Sequence, residues 1–447
     1  MDLTQKIISL AKRRGFIFPS SEIYGGFGGV YDFGPLGEAL KRNIKEVWWK
    51  DMKEVDNIIG FDSAILMAPQ VWQASGHLSA GFADELVECK ACHKRFKLDE
   101  IQKTEGKNKK SRCPECGGEL TKPAKFNLMM KTFVGPVETE SNAAYLRAET
   151  CQGIFINFLN ILNSQRLKLP FGVIQIGKSF RNEITPKNFI FRTREFEQME
   201  MEWFSPPREA DQWFDFWLEK RLKWYEKLGI TKKNLRVQEV PKEERAHYAQ
   251  RQIDLEYHFP FGWQEIEGIH HRGDWDLKNH SKYSKENLSY FDEKTKEKYF
   301  PYIIETSVGV ERTLFAFLVE AYQEVKGGRT KTTESRKEIE VLLKFNKSLA
   351  PIKVVVLSLV KNKPELVKKS REVYNLLKPY FTCQYDELGS IGRRYRRQDE
   401  IGTIFAVTID FETLEKNDVT VRNRDTMKQE RIKIDKLIQF IKGELEK

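Results

Sequence analysis

The chain has 447 residues, a formal charge of +10, 40% hydrophobic residues and 12% aromatic residues. Its length exceeds what one core normally organises, so about three units are expected, and its apolar content excludes wholesale disorder. The positive balance favours a polyanionic partner, although a modest charge of this kind is also compatible with none.

In chain order, residues 1–20 contain no apolar core of the length a secretory signal needs. No run approaches the roughly 18 apolar residues of a membrane span, so a cytoplasmic protein without a membrane segment is expected. GEALKRNIKEVWWKDM, residues 37–52, has helical spacing and is entered from a turn at Gly34 and Pro35. Residues 90–125 are rich in Lys, Glu, Gly and Cys, which reads as an insertion covering about residues 86–125. Four of the six cysteines form two C-x-x-C pairs there, Cys89 with Cys92 and Cys113 with Cys116. In a chain without a secretion signal this spacing predicts a closed structural zinc site, the alternative being a relic that binds no metal. His93 reads as a bystander, and the isolated Cys151 and Cys383 as small core hydrophobes.

Residues 172–183 and 193–204 are strand-like runs joined by a loop containing Pro186, which predicts an antiparallel pair. Residues two apart share a strand face. Arg181 and Glu183 then point one way on the first strand, and Arg194, Phe196, Gln198, Glu200 and Glu202 on the second, with Met199, Met201 and Trp203 turned to a core. An arginine fork suits a phosphate, an aromatic ring a base, and a partly desolvated carboxylate an ammonium group. The bland alternative is a salt-bridged sheet surface. Trp213, Phe214, Phe216 and Trp217 fall at helical spacing and read as packing within a helical insertion at about 206–260. His270 and His271 read as loop residues near a site. No GxxxxGK[ST] phosphate loop occurs, so an ATP site must be built differently.

KGGRTKTTESRKE, residues 326–338, is the best linker, placed at about 326–340. Beyond it, residues 352–359 read as a buried strand, 364–380 as a helix, 403–410 as a strand and the last fifteen residues as an amphipathic helix. That order predicts a small α/β domain over 341–447. Arg393, Arg394, Arg396 and Arg397 flank Tyr395, which suits either a solvated basic turn or contact with an RNA loop.

KSFRNEITPKNFIFRTREFEQMEMEWF resembles motif 2 of class II aminoacyl-tRNA synthetases, in the form found in dimeric glycyl-tRNA synthetases of bacterial type. YGGFGGVYDFGPLGEALKRNIKEVWWKDM is similar to their motif 1, and IIETSVGVERTLFAFL to motif 3, with Gly309 and Arg312 as its Gly-x-x-Arg. LRAETCQGIF and GWQEIEGIHHRGDWDL resemble further signatures of this family, and GSIGRRYRRQDEIGTIFAVTID its anticodon-binding domain. The resemblance covers nearly the whole chain. It departs at Cys151, where the family usually has alanine.

The resemblance implies an α+β fold, with a class II antiparallel-sheet catalytic domain over residues 1–330 and a C-terminal anticodon-binding domain, acting as a homodimer on glycine, ATP with Mg2+ and tRNA. It implies Arg181, Glu183 and Arg312 as catalytic residues, Arg181 at the α-phosphate and Arg312 at the γ-phosphate. The ATP site would comprise these with Asn182, Phe191, Arg192, Thr193, Arg194, Glu195, Phe196, Glu265, Ile266, Gly309, Val310 and Glu311, where Phe196 stacks on adenine and Glu265 lies near the magnesium ions. The glycine site would take Arg95, Glu149, Phe196, Glu197, Gln198, Met199, Glu200, Glu305, Thr306, Ser307, Val308 and Gly309. Residues 393–397 would meet tRNA, and no editing site is expected, because every competing amino acid is larger than glycine. The rival readings are a non-catalytic nucleic-acid-binding relative and a synthetase for another amino acid. The presence of Arg181, Arg312, Glu200 and Glu305 weighs against the first, and the glutamate-rich pocket against the second.

Overall fold

The computed structural model describes residues 2–78, 82–98, 101, 112–329 and 338–447. Seven strands form its central sheet: β1 (Ile58–Gly60), β2 (Phe171–Phe180), β3 (Glu195–Ser205), β4 (Leu235–Glu239), β5 (Arg251–Phe259), β6 (Gly262–Gly273) and β7 (Tyr302–Gly309). Their spatial order is β4-β5-β6-β7-β3-β2-β1. Every neighbouring pair is antiparallel except β1 and β2, which run parallel.

The alternation in β3 sorts its side chains as the period of two requires. Met199, Met201 and Trp203 are at most 1% exposed and join one large core with residues of three helices. These are α1 (Pro35–Lys53), α2 (Ala210–Lys227) and α4 (Val310–Ala321). Burying each such side chain contributes about 1.5–3 kcal/mol. A smaller cluster is completed by Leu277 of α3 (Trp275–Ser284), with Phe158, Phe171 and Phe204. Helix α1 starts with Pro35 in its first turn, ends with Lys50 and Lys53 against the dipole, and buries Leu40, Ile44, Trp48 and Met52 at intervals of four. Gly37 lets the helix touch another backbone, since a Cβ there would sit 1.8 Å from the Phe16 carbonyl oxygen.

Several expectations need correction. The two motif 2 strands are shorter than expected, β2 ending at Phe180 and β3 starting at Glu195. Arg181, Glu183 and Arg194 therefore sit on the connecting loop, not on strand faces. The helical insertion at 206–260 contains one long helix, α2, and residues 235–259 instead supply β4 and β5. The aromatic spacing of α2 misled the longer reading. Of the four rings between residues 213 and 217, Phe214 and Trp217 are fully buried and Trp213 packs partly, but Phe216 is 40% exposed. His270 and His271 are not in a loop; both are buried on β6.

In the cysteine-bearing insertion, strand Ala83–Glu88 pairs with Arg95–Lys97 and Ala124–Asn127. Residues 330–337 of the expected linker lie outside the described residues, but its flanks, Tyr322–Lys326 and Ile339–Leu343, pair as an antiparallel ribbon. The C-terminal sheet comprises β8 (Val354–Ser358), β9 (Cys383–Asp386), β10 (Phe405–Ile409), β11 (Asp418–Asn423) and β12 (Gln429–Lys433) in the order β9-β8-β10-β11-β12. The first three run parallel, flanked by α5 (Pro364–Leu377), α6 (Ile391–Ile401) and, at the C-terminus, α7 (Leu437–Glu446). Among the described residues, no helix is long and apolar enough to cross a membrane.

Candidate active site

The face of β2, β3 and β7 opposite the core carries the polar side chains, and the ladder registers place them in rows. Gln175, Glu200 and Ser307 form one row, and Val173, Glu202 and Glu305 the next. A cleft opens above them, lined by Arg181, Glu183, Ile190, Phe191, Arg192 and Thr193 from motif 2. Phe196, Gln198, Glu265, Ser307, Gly309, Glu311 and Arg312 complete its wall. The structure thus gathers twelve of the residues expected from sequence around one opening.

Two arginines stand over aromatic rings there. The Arg181 guanidinium lies 5.4 Å from the Phe196 ring centre and donates to the Ala148 carbonyl at 3.2 Å. Arg312 lies 4.6 Å from the Phe191 ring centre, donates to the Phe191 and Glu265 carbonyls at 3.3 Å, and pairs with the Glu265 carboxylate at 3.1 Å. The Glu183 carboxylate has two cations near one oxygen, Lys97 at 3.6 Å and Arg192 at 4.0 Å. Lys97 reaches it from the insertion, a contact with no signal in the sequence. Beneath the wall, buried Lys41 of α1 joins Glu311 at 2.6 Å and Glu197 at 3.2 Å. Lys45 adds a second hold on Glu197, whose backbone N–H donates to Glu311.

The floor is a set of buried carboxylates. Glu200 accepts from Ser307 Oγ and Gln198 Nε2, both at 2.7 Å, and from Thr150. Burial, with Glu305 and Glu149 nearby, pushes its carboxyl up to about 7. Glu305 lies 2.6 Å from His270 Nδ1 and accepts from Arg272 Nη1 at 2.6 Å. Burial opposes its ionisation, but the charges of Arg272 and His270 outweigh that and hold the carboxyl below the usual range. Arg272 completes its fork on Asp276 at 2.7 and 2.9 Å. Glu149 accepts from Gln152 Nε2 at 2.8 Å and Cys151 Sγ at 3.1 Å and lies 3.3 Å from His77 Nε2. Despite burial its carboxyl is held well below the usual range, chiefly by His77, then by Arg272 and Gln152. Glu202 is fully buried with neither oxygen hydrogen-bonded, and burial next to Glu305 raises it well above the usual range.

The remaining expected residues sit elsewhere. Met199, Thr306 and Val308 fall on the opposite side of the pleat from Glu200 and Ser307, and Met199 and Val308 belong to the core, as do Ile266 and Val310. Their side chains pack; they do not line the cleft. Arg194 ties the chain together, donating to the Glu183 carbonyl at 2.9 Å and the Gly28 carbonyl at 2.6 Å. Glu195 pairs with Lys178 at 2.6 Å, and Asn182 is anchored through its backbone to Leu128. Arg95 is an exposed insertion residue paired with Glu88 at 2.9 Å and does not line the cleft. Residues that the sequence did not reveal include Arg147, His77, Gln152 and Arg272. Each is buried and has at least one partner far along the chain, such as Glu149 for His77, His280 for Gln152 and Glu305 for Arg272, so local spacing alone does not betray its role. Arg147, for example, donates to the carbonyls of Lys178 and Ser63.

In the insertion the four thiols converge, with ligand atoms within 4.8 Å of one another. Cys89 and Cys116 sulfurs are 3.4 Å apart and Cys92 and Cys113 sulfurs 3.7 Å apart. A zinc ion with Zn–S bonds of about 2.3 Å has tetrahedral edges of about 3.8 Å. The backbone N–H groups of Ala91 and Cys92 point to Cys89 Sγ at 3.4 Å, and a Cβ on Gly118 would crowd Cys89 Sγ at 2.9 Å. The four residues therefore fit the metal.

On α6, the basic segment is helical, and it is not wholly exposed. Arg394 is 2% exposed and donates to the carbonyls of Ser358, Asp386 and Leu359. Arg397 is pinned to Asp386 at 2.7 and 2.9 Å, and Tyr395 bonds Thr408. Arg394 is thus a structural brace and not an RNA contact. Arg393 is exposed, and Arg396 is half-buried.

Residues 136–322 match the model of the tRNA synthetase class II core domain (G, H, P, S and T), and residues 353–444 that of the anticodon binding domain. The fold agrees with a solved prolyl-tRNA synthetase from Cryptosporidium parvum, at a TM-score of 0.65 and 16% identity over all of this chain and 76% of that one. Sheet, cleft and C-terminal domain together define a class II aminoacyl-tRNA synthetase. A glycine–tRNA ligase from Thermobifida fusca is 50% identical over 97% of this chain and 96% of its own, and one from Treponema denticola is 50% identical over 99% and 97%. The Streptomyces coelicolor ligase is 47% identical over 99% of both chains. The chain belongs to the glycine–tRNA ligase family.

Proposed function

We propose that the chain joins glycine to tRNA through a glycyl-adenylate, with ATP in the cleft and glycine on the carboxylate floor. The observation that carries this reading is the stacking of two layers on one sheet face: Arg181, Phe196 and Arg312 around the opening, with Glu149, Glu200 and Glu305 buried below. Arg181 meets the α-phosphate, where charge builds as a glycine carboxylate oxygen attacks and pyrophosphate leaves; Arg312 holds the γ-phosphate. Phe196 stacks on adenine and Glu183 accepts from its amine. The three carboxylates take the ammonium group. Glu265 is the half-exposed cleft carboxylate suited to a magnesium ion, which would neutralise phosphate charge.

Glycine selectivity follows from crowding. Thr150, Gln198 and Ser307 all bond Glu200, so the carboxylate that would take the ammonium group is closely surrounded, and every competing amino acid is larger than glycine. Purified protein with Mg2+ is expected to exchange pyrophosphate into ATP with glycine but not with alanine or serine, and to charge tRNA. Absence of exchange with glycine would refute the reading.

The four cysteines bind one structural zinc. Elemental analysis is expected to find about one zinc per chain, and chelation to loosen the insertion, read as faster amide exchange over residues 83–98 and 112–127. A folded, metal-free insertion with native protection would contradict this. In the segment leading into α1, Ile23, Tyr24 and Phe27 are 88%, 85% and 59% exposed, which supports pairing of two copies through this region. Exposed Arg393 remains the candidate of its segment for tRNA contact. A cytoplasmic location accords with the reaction.

A further inference from the structure

A carboxylate that recognises an ammonium group must present its oxygens in a fixed direction, yet the terminal torsion of glutamate is broad and sets no such direction. Glu149 is therefore oriented by what bonds its two oxygens. Oε1 accepts from Gln152 Nε2 at 2.8 Å and Cys151 Sγ at 3.1 Å. Gln152 is itself fixed, because its amide oxygen lies 2.8 Å from His280 Nε2 on α3. The partner of Oε2 is His77 Nε2, at 3.3 Å.

His77 is built to hold that position. Its Nδ1 lies 2.8 Å from Ser75 Oγ, which fixes the ring about its long axis. The ring packs edge-on against Trp72, with centres 5.2 Å apart, and tilted against Phe82 at 4.5 Å. Ser75, His77 and Glu149 are all buried, so water does not compete for these bonds. The three form a chain of contacts from Ser75 through the imidazole to Oε2, the carboxylate oxygen that Gln152 does not bond.

We infer that His77 is a positioning residue for glycine recognition, holding the Glu149 carboxylate in the direction that meets the ammonium group. The inference rests on the reading that Glu149 contacts glycine. Without His77, Oε2 loses its partner and Glu149 can turn about its last torsion, which weakens glycine binding while the nucleotide wall stays intact.

The test compares two replacements in glycine-dependent ATP–pyrophosphate exchange. His77→Phe keeps the ring between Trp72 and Phe82 but has no donor; His77→Gln loses the ring but keeps an N–H donor on that side. His77→Phe is expected to raise the glycine KM about tenfold or more with the ATP KM within about twofold, and His77→Gln to stay closer to the native glycine KM. A native glycine KM for His77→Phe, a worse one for His77→Gln than for His77→Phe, or a joint rise of both KM values would overturn the inference and leave His77 as packing. If His77→Phe does not fold, Ser75→Ala decides, with an expected glycine KM rise of about threefold and an unchanged one counting against. Glu149→Gln separates the two levels. If it leaves the glycine KM unchanged, the glycine-site reading fails; if it raises the KM and His77→Phe does not, only the role of His77 fails.

Discussion

Arg181→Ala is expected to lower glycine-dependent ATP–pyrophosphate exchange by about a thousandfold or more, the size seen when a cation that stabilises a phosphoryl transition state is removed. The loss falls on the chemical step because Arg181 carries little of the fold. Among the described residues its side chain makes one hydrogen bond, of 3.2 Å, to the Ala148 carbonyl, and lies over the rings of Phe82 and Phe196. Thermal unfolding and sedimentation of the variant should match those of the native protein, including any dimer. Arg181→Lys should recover part of the activity, since a point charge remains but the planar fork does not. Exchange within tenfold of native for Arg181→Ala would remove this residue from the α-phosphate.

Arg272→Ala is expected to act on the fold and the site together, with a destabilisation of about 3–5 kcal/mol. Arg272 is 1% exposed and is the shared cation of Glu305 and Asp276, both of them buried. Its removal leaves two carboxylates in a water-poor interior. The pH dependence has a definite sign. In the native protein Glu305 titrates below the usual carboxylate range, so its contribution is present above that range and lost only as pH falls through the depressed value. In the variant only His270 remains to oppose the burial penalty on Glu305, and its carboxyl shifts upward. The deficit relative to the native protein should therefore be larger at pH 8 than at pH 5, where protonation relieves it. Denaturant midpoints of the catalytic unit at the two pH values measure this. A deficit equal at both, or larger at pH 5, would show that Arg272 acts mainly by packing.

The sequence was most legible where chemistry and periodicity coincide. Glu200 and Glu202 alternating with Met199, Met201 and Trp203 announced a two-faced strand, and the structure places each on the expected side. The glycine set implied by the family resemblance departs from that rule, since it includes Met199 and Val308, which the pleat turns to the core. Loop residues were legible by type but not by position, since Arg181 and Glu183 reach the cleft from beyond the strand end. The supporting groups were invisible. His77 on Glu149, Gln152 on His280, Arg272 on Glu305 and Lys41 on Glu311 are pairings distant in sequence, set by tertiary packing. Arg394 shows the opposite error, a basic cluster that looks like an RNA surface but supplies a buried brace for three carbonyls.

The division of β3, with Glu200 and Glu202 on one face and Met199, Met201 and Trp203 on the other, also bears on how the chain finds its fold. If β3 paired with β7 one residue out of register, Glu200 and Glu202 would enter the helical core and Met199 and Met201 would take their place on the open face. Glu200 would lose its bonds to Thr150, Gln198 and Ser307, at a cost of several kcal/mol for a buried carboxylate, and two core side chains would be lost besides. The misaligned pairing is thus penalised on both surfaces at once. Glu200, proposed for the glycine site, doubles as a check on assembly, and a chain that lost it would lose part of its own instruction for aligning the strands.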